Sequence, residues 1–176
     1  FSAKEESSII YLVDLKKPTI IVDIDDTISH TDRDDVVFGE VDEDSKPFEY
    51  SAKALHNLTE YFNIIIVTGR EDAFLQKTRA WLTIHGFPRL PVFYADFGQT
   101  ALIDQGEYKE TAVKNVTNDI NNVIAGVGDR THDAKAYIKS GLKAIIIKEK
   151  GDVFEGAIRK AHWKDVEKEL MSYLEE

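Results

Sequence analysis

The chain has 176 residues, of which 43% are hydrophobic and 31% charged, a balance that permits a packed core and excludes a disordered chain. It contains no cysteine, so disulfide frameworks, thiol nucleophiles and cysteine-based zinc sites are excluded. Its 32 acidic and 22 basic residues give a net charge of −10, so stable nucleic-acid binding and broad attraction to anionic membranes are not expected.

The first seven residues are polar. Ile9 to Leu15 reads as a strand at a sheet edge. Thr19 to Ile24 (TIIVDI) is a continuous β-branched run, the mark of a strand buried on both faces. Ser51 is placed to cap a helix running to about Phe62, with Leu55, Leu58 and Phe62 at helical spacing. Asn63 to Val67 predicts a second buried strand. Glu71 to His85 predicts a helix with Phe74, Leu75, Thr78, Trp81 and Leu82 on one stripe, ended by Gly86. Pro91 to Tyr94 reads as a short strand, Tyr108 to Asp119 as a helix, and Val123 to Val127 as a strand. Thr131 to Lys139 follows as a helix closed by Gly141. Lys143 to Ile147 reads as the last strand and His162 to Leu174 as a final helix. This alternation predicts an α/β fold, a three-layer Rossmann-like sandwich around a mainly parallel sheet. No internal repeat or linker interrupts it, so one domain over residues 1–176 is expected.

No apolar run approaches the roughly 18–20 residues of a membrane span, and no basic start leads into a long apolar stretch. The chain opens on Phe1 rather than Met, which leaves the compartment open, cytoplasmic by default and compatible with an exported form.

In parallel sheets ligands sit beyond the carboxyl ends of the strands. Here the first core strand leads into Asp23-Ile24-Asp25-Asp26-Thr27, the second into Thr68-Gly69-Arg70, and the fourth into Gly128-Asp129-Arg130-Thr131-His132-Asp133. A lone Asp after a strand is ordinarily a turn or cap residue. Asp23 differs, because it interrupts a β-branched run where strand propensity disfavours it. Asp23 and Asp25, at i and i+2, point to the same side of an extended chain. Like charges that close need a cation beside them, and Mg²⁺ suits oxygen ligands while keeping positions open for a phosphate.

The set resembles the haloacid dehalogenase (HAD) superfamily in its phosphatase branch over roughly Pro18 to Ile147. The carrying motifs, in order, are DxDxT (Asp23 to Thr27), a strand ending in Thr68 within TGR, a lysine before the fourth strand, and GDxxxD (Gly128, Asp129, Asp133). The resemblance implies a Mg²⁺-dependent phosphomonoester hydrolase working through an aspartyl-phosphate. It makes Asp23 the nucleophile and Asp25 the general acid and base. Mg²⁺ would be held by Asp23, the Asp25 backbone carbonyl and Asp129. Thr68, Gly69 and Lys109 would bind the phosphoryl group, with Lys114 the competing lysine. Thr27, Asp133 and Arg70 would support the site, Asp133 as a further metal ligand or a brace. Arg70 and Arg130 would meet substrate or pair with carboxylates. His132 reads as a loop histidine, and His30 as lining the mouth of the site.

The stretch from about Ser29 to Tyr50 is acidic around Val36-Val37-Phe38 and reads as a small hairpin flap; no room is left for a full cap domain. Within the superfamily, capless members tend to take large substrates or to borrow a cover from a second subunit. The implied partner is thus a phosphorylated substrate of a size that reaches to a lipid, nucleic-acid end or protein, and an oligomer is compatible. DIDDT, TGR and the run Gly128 to Leu142 resemble lipin-type phosphatidate phosphatase domains, whereas Thr68 to Leu82 resembles the phosphatase half of polynucleotide end-healing enzymes. Two readings from other classes compete. A receiver-like phosphoacceptor module uses similar residues, but its Asp follows the third strand, where this chain has Tyr94-Ala95-Asp96. A catalytically silent HAD-fold binding protein would need none of the motif positions that this chain keeps.

Overall fold

The computed structural model describes residues 10–30, 45–95 and 105–175. Strand β1 (Thr19–Val22) is followed by helix α1 (Ser51–Leu58), β2 (Asn63–Glu71), a 3₁₀ turn (Asp72–Phe74), α2 (Leu75–Ile84) and β3 (Val92–Ala95). Then come α3 (Gln105–Asp119), β4 (Val123–Gly128), α4 (Thr131–Lys139), β5 (Lys143–Ile147), β6 (Ile158–Lys160) and α5 (Trp163–Ser172). The six strands form one sheet in the order β3-β2-β1-β4-β5-β6, and every pairing is parallel.

Successive side chains of a strand point to opposite faces, and β1 uses this to bind two layers at once. Ile20 and Val22 face a core built with Leu55 and Leu58 of α1, Trp81 and Leu82 of α2, and Trp163, Val166 and Leu170 of α5. Ile21 joins Ile65 and Val67 against Val113 and Val116 of α3 and Ala136 and Tyr137 of α4. Helices therefore cover both faces, which is why the strands read as unbroken apolar runs. Chain order turns back between β1 and β4, so a crevice opens where their following loops diverge. The Asp23 N–H donates to Val127 O at 3.0 Å and holds the first loop at that point.

Several expectations are corrected. Residues 10–15 form no strand: Ile10, Leu12 and Leu15 are exposed, and Asp14 is held by the Asn63 side chain instead of a ladder. Ile9 lies outside the described residues. Ser51 does not cap α1. Tyr50 precedes the helix in a left-handed conformation (φ 71°), and the Ser51 hydroxyl donates backwards to Phe48 O at 2.8 Å. The helix stops at Leu58, short of Phe62. Strand β2 runs on to Glu71, which pairs with Ala95, so the following α-helix starts at Leu75. The strand β6 follows the one expected to be last.

Most of the expected flap, residues 31–44, lies outside the described residues. Its two flanks meet antiparallel: His30 N donates to Lys46 O at 2.8 Å and Phe48 N to Ile28 O at 2.9 Å. The His30 and Phe48 rings stack at 3.8 Å. Among the described residues no helix is long and apolar enough to cross a membrane.

Candidate functional site

Parallel pairing places the carboxyl ends of β1, β2 and β4 on one edge, and the loops carry their side chains together there. Asp23 follows β1 and is only 6% exposed. Lys109, near the start of α3, is 2% exposed and brings its ammonium 2.8 Å from Asp23 Oδ1 and 3.1 Å from Asp133 Oδ1. Its directed hydrogen bond goes to Val67 O at 3.0 Å, so the two carboxylate oxygens are held by charge more than by hydrogen-bond geometry. Lys114 is exposed and takes no part.

Asp133 is fully buried on the first turn of α4. Its Oδ2 accepts from Arg130 N at 3.0 Å and Asp129 N at 3.3 Å. This approach requires glycine at 128, where a Cβ would stand 2.6 Å from the Asp133 Cβ. Gly126 gives the same freedom to the Tyr137 ring, 2.4 Å from where its Cβ would be. Oxygens of Asp23, Asp129 and Asp133 all lie within 4.8 Å of one another.

Burial pushes the Asp23 carboxyl up to about 7; Lys109 opposes the rise, and Asp133 and Asp25 add to it. Asp129 is likewise pushed up to about 7 by burial and by Asp133, with Arg130 opposing. Burial also works against Asp133, but Lys109 and the Arg130 N–H hold it below the usual carboxylate range. Lys109 in turn is held above the ordinary lysine range by Asp23 and Asp133, against the effect of burial. One ammonium is thus shared by two carboxylates, and Asp133 gains more from it.

The remaining predicted residues fall around this cluster. Asp25 is gripped by Arg70, whose Nη2 donates to Oδ1 at 2.7 Å and whose Nε lies 3.0 and 3.1 Å from the two oxygens. Arg70 is itself fixed by Thr78 Oγ1, which accepts from Nη1 at 3.3 Å. The Thr68 hydroxyl accepts from Arg70 N at 3.1 Å, with Gly69 between them in β2. Thr27 is buried, and its carbonyl accepts from Trp163 Nε1 at 2.8 Å, tying the first loop to α5. Arg130 reaches Asp129 at 3.3 Å and Asp26 at 3.4 Å. His132 Nε2 lies 3.9 Å from Asp133 Oδ1. His30 stands on the flap flank. Two contributions escaped the sequence reading. Thr78 was legible only as one position of a helical stripe. Asp26, which contacts Arg130, was hidden by the stronger signal of its two neighbours.

The donor set is all oxygen, and Asp129 Oδ1 is buried with no hydrogen-bond partner among the described residues. Both features fit a hard divalent cation.

Against this geometry the comparisons with known proteins are informative. The family model described as PITM 1-3, LNS2 domain matches residues 20–147. The chain belongs to the LNS2 domain family. The LNS2 fold seen here is that of the HAD superfamily. The solved structure of D,D-heptose 1.7-bisphosphate phosphatase from B. bronchiseptica, complexed with magnesium and phosphate, is similar with a TM-score of 0.70 and 17% identity. That match covers 89% of this chain and 99% of that one. A chain of the Pnkp1/Rnl/Hen1 RNA repair complex is similar with a TM-score of 0.60 and 17% identity, over 82% of this chain and 47% of that one. A HAD-superfamily hydrolase of subfamily IA from Geobacter sulfurreducens gives a TM-score of 0.62 at 12% identity, over 85% and 97%. No curated protein sequence matches the LNS2 chain.

Proposed function

We propose that this LNS2 domain is a Mg²⁺-dependent phosphomonoester hydrolase that works through an aspartyl-phosphate on Asp23. The observation that carries the reading is the placement of Asp23. It is a nearly buried carboxylate at a β1–β4 crevice, flanked by Asp129 and Asp133 and faced by a buried ammonium. Such a group is costly in a purely structural role and is what a nucleophile in an anion-handling site requires. The similarity to a phosphatase structure that holds magnesium and phosphate supports the same reading.

The residues divide the work. Mg²⁺, held by Asp23, Asp129 and the Asp25 carbonyl, would offset charge between an anionic nucleophile and an anionic ester. The Asp23 carboxylate oxygen attacks phosphorus, and the bond from phosphorus to the ester oxygen breaks. Asp25, which must enter this step in its acid form, gives that oxygen its proton, so the leaving group departs as a neutral alcohol. Asp25, now a carboxylate, takes a proton from water, whose oxygen attacks the same phosphorus and releases Asp23 and inorganic phosphate. Lys109 and Thr68, with the backbone at Gly69, orient the phosphoryl oxygens and stabilise their charge. Asp133, whose oxygens are already engaged by Lys109 and two backbone N–H groups, serves as a brace that fixes the Asp129 loop. Arg70 holds Asp25 in place.

Steady-state phosphate release from an aryl phosphate tests the reading, with Mg²⁺ and with EDTA, for the wild type and Asp23→Asn. Turnover that needs Mg²⁺ and vanishes in the variant is expected. Turnover retained by Asp23→Asn sinks the mechanism. No turnover at any Mg²⁺ concentration favours the silent binding protein.

A further inference from the structure

All six strands run parallel, so α3, which joins β3 to β4, starts at the same carboxyl edge as the loops that carry Asp23 and Asp129. Tyr108 lies on its first turn, one residue before Lys109. Helical side chains lean towards the helix N-terminus, which aims the Tyr108 ring over that edge rather than down along the sheet. The packing agrees. Tyr108 is half-buried yet belongs to neither hydrophobic core, whereas Ala112, one turn on, packs against the core shared by α3 and α4. A partly buried tyrosine usually finds a partner for its O–H. Among the described residues the Tyr108 hydroxyl makes no hydrogen bond.

The hydroxyl stands in the field of the charges at the centre of the site. Burial pushes it up to about 12; Lys109 opposes the rise and Asp23 adds to it. It therefore keeps its proton at neutral pH and is able to donate. The site is short of such donors. The Lys109 ammonium has three N–H groups and three acceptors already around it: Asp23 Oδ1 at 2.8 Å, Val67 O at 3.0 Å and Asp133 Oδ1 at 3.1 Å. A phosphoryl oxygen meets its charge, but gains a directed hydrogen bond only by displacing one of the three. The ionised carboxylates around it have no proton to offer. The Tyr108 O–H is a neutral donor within electrostatic reach of both Asp23 and Lys109.

We propose that Tyr108 is a phosphoryl-binding residue, its hydroxyl donating a hydrogen bond to a non-bridging oxygen of the phosphomonoester as Asp23 attacks it. The proposal rests on the phosphatase reading of Asp23 and adds a substrate-contacting group to it. The non-bridging oxygens share the charge in phosphoryl transfer, and a donor carried on a helical turn meets one of them with little reorganisation. Being neutral, it does so without competing with a metal ion for the carboxylates.

Tyr108→Phe removes the hydroxyl and keeps the ring, and circular-dichroism melting shows that the variant is folded. Its kcat/KM for an aryl phosphate is expected to fall about 10²-fold. Its affinity for inorganic phosphate, titrated calorimetrically with Mg²⁺ present, is expected to fall about tenfold. Its Mg²⁺ affinity without phosphate is expected to stay within about twofold of the wild type, since a phenol that holds no metal ligand has no part in it. A purely structural role would move the Mg²⁺ and phosphate readouts together, so a parallel fall in both overturns the proposal, as does an unchanged affinity for phosphate. A second measurement does not depend on the variant's stability. In wild-type protein with isotope-labelled tyrosine rings, the resonance that Tyr108→Phe lacks should shift as inorganic phosphate saturates the site, and a signal that stays still while phosphate binds overturns the proposal. Normal turnover and phosphate binding in Tyr108→Phe removes Tyr108 alone and leaves the phosphatase reading standing. A wild type that neither turns over nor binds phosphate with Mg²⁺ sinks that reading, and this proposal with it.

Discussion

Replacing Lys109 by methionine keeps the volume and removes the charge, and its consequences can be worked from the site. Lys109 is 3% exposed as a side chain, and its one positive charge is shared by two carboxylates whose side chains are 9% and 0% exposed. Removing one member of a buried ion set typically costs about 3–5 kcal/mol, because its partners stay buried and unpaired. For a chain of this length that corresponds to a fall in Tm of about 6–20 °C. The loss must depend on pH. Asp23 in the wild type is raised to about 7 from an ordinary value near 3.8, with Lys109 pulling it down. Without Lys109 it rises further, and folded protein then binds a proton that unfolded protein does not. A carboxyl raised on folding destabilises as pH rises through the window between the two values. The deficit of the variant is therefore largest near pH 8 and shrinks towards pH 5.5, where protonation removes the unpaired charge. Urea denaturation in EDTA at both pH values, with Lys114→Met as the exposed control, measures this. A deficit below about 1 kcal/mol at pH 8, or one that grows on acidification, refutes the reasoning.

Other outcomes follow from the same geometry. Mg²⁺ at a hundredfold excess over its Kd is expected to stabilise the protein by about 2.7 kcal/mol, a rise in Tm of about 5–11 °C by scanning calorimetry. That affinity should weaken as pH falls from 8 to 6, because Asp23 and Asp129, both near 7, must lose their protons to bind it. Gly126→Ala drives a methyl into the Tyr137 ring and should lower stability by about 1–3 kcal/mol, whereas Gly128→Ala displaces Asp133 and should also lower Mg²⁺ affinity, read by calorimetric titration. Arg70→Ala frees the Asp25 carboxylate and should slow an alkyl phosphate by about 10²-fold while slowing a nitrophenyl phosphate much less, since only the former needs its leaving oxygen protonated. Equal losses on both esters would count against that role for Asp25.

The sheet was legible because strands buried on both faces read as continuous apolar runs, and residues 20–22, 64–67, 123–127 and 144–147 do. Asp23 was legible for the converse reason, since a carboxylate inside such a run has no structural use there. The segment from Ile9 misled because an apolar alternation does not reveal whether a partner strand is free to receive it. β6, at three residues, is too short to show a period. The choice between Lys109 and Lys114 had a signal in it. Five residues separate them by about 140° on a helix, so only one can face the sheet. Val113 and Val116, at i+4 and i+7 from Lys109, are the buried stripe of α3. What Arg70 holds was not legible, because Asp25 and Thr78 reach it from two other elements.

The topology explains why these charges meet at all. Parallel strands present their carboxyl ends on one edge, and β1 and β4 are neighbours although about a hundred residues separate them. Their first polar residues, Asp23 and Asp129, therefore arrive side by side, and the tight turn at Gly128 adds Asp133. Lys109 balances one of the three carboxylates and leaves two negative charges in a largely buried space. Burial raises Asp23 and Asp129 together, which is the energetic sign of a site short of positive charge. Arg130 does little to correct this, since it is half exposed and its reach to Asp129 is 3.3 Å. A divalent cation supplies the missing two charges and suits the oxygen donors. The same deficit that makes the cluster unfavourable alone would favour such an ion, and the ion in turn would help to hold a phosphoryl group.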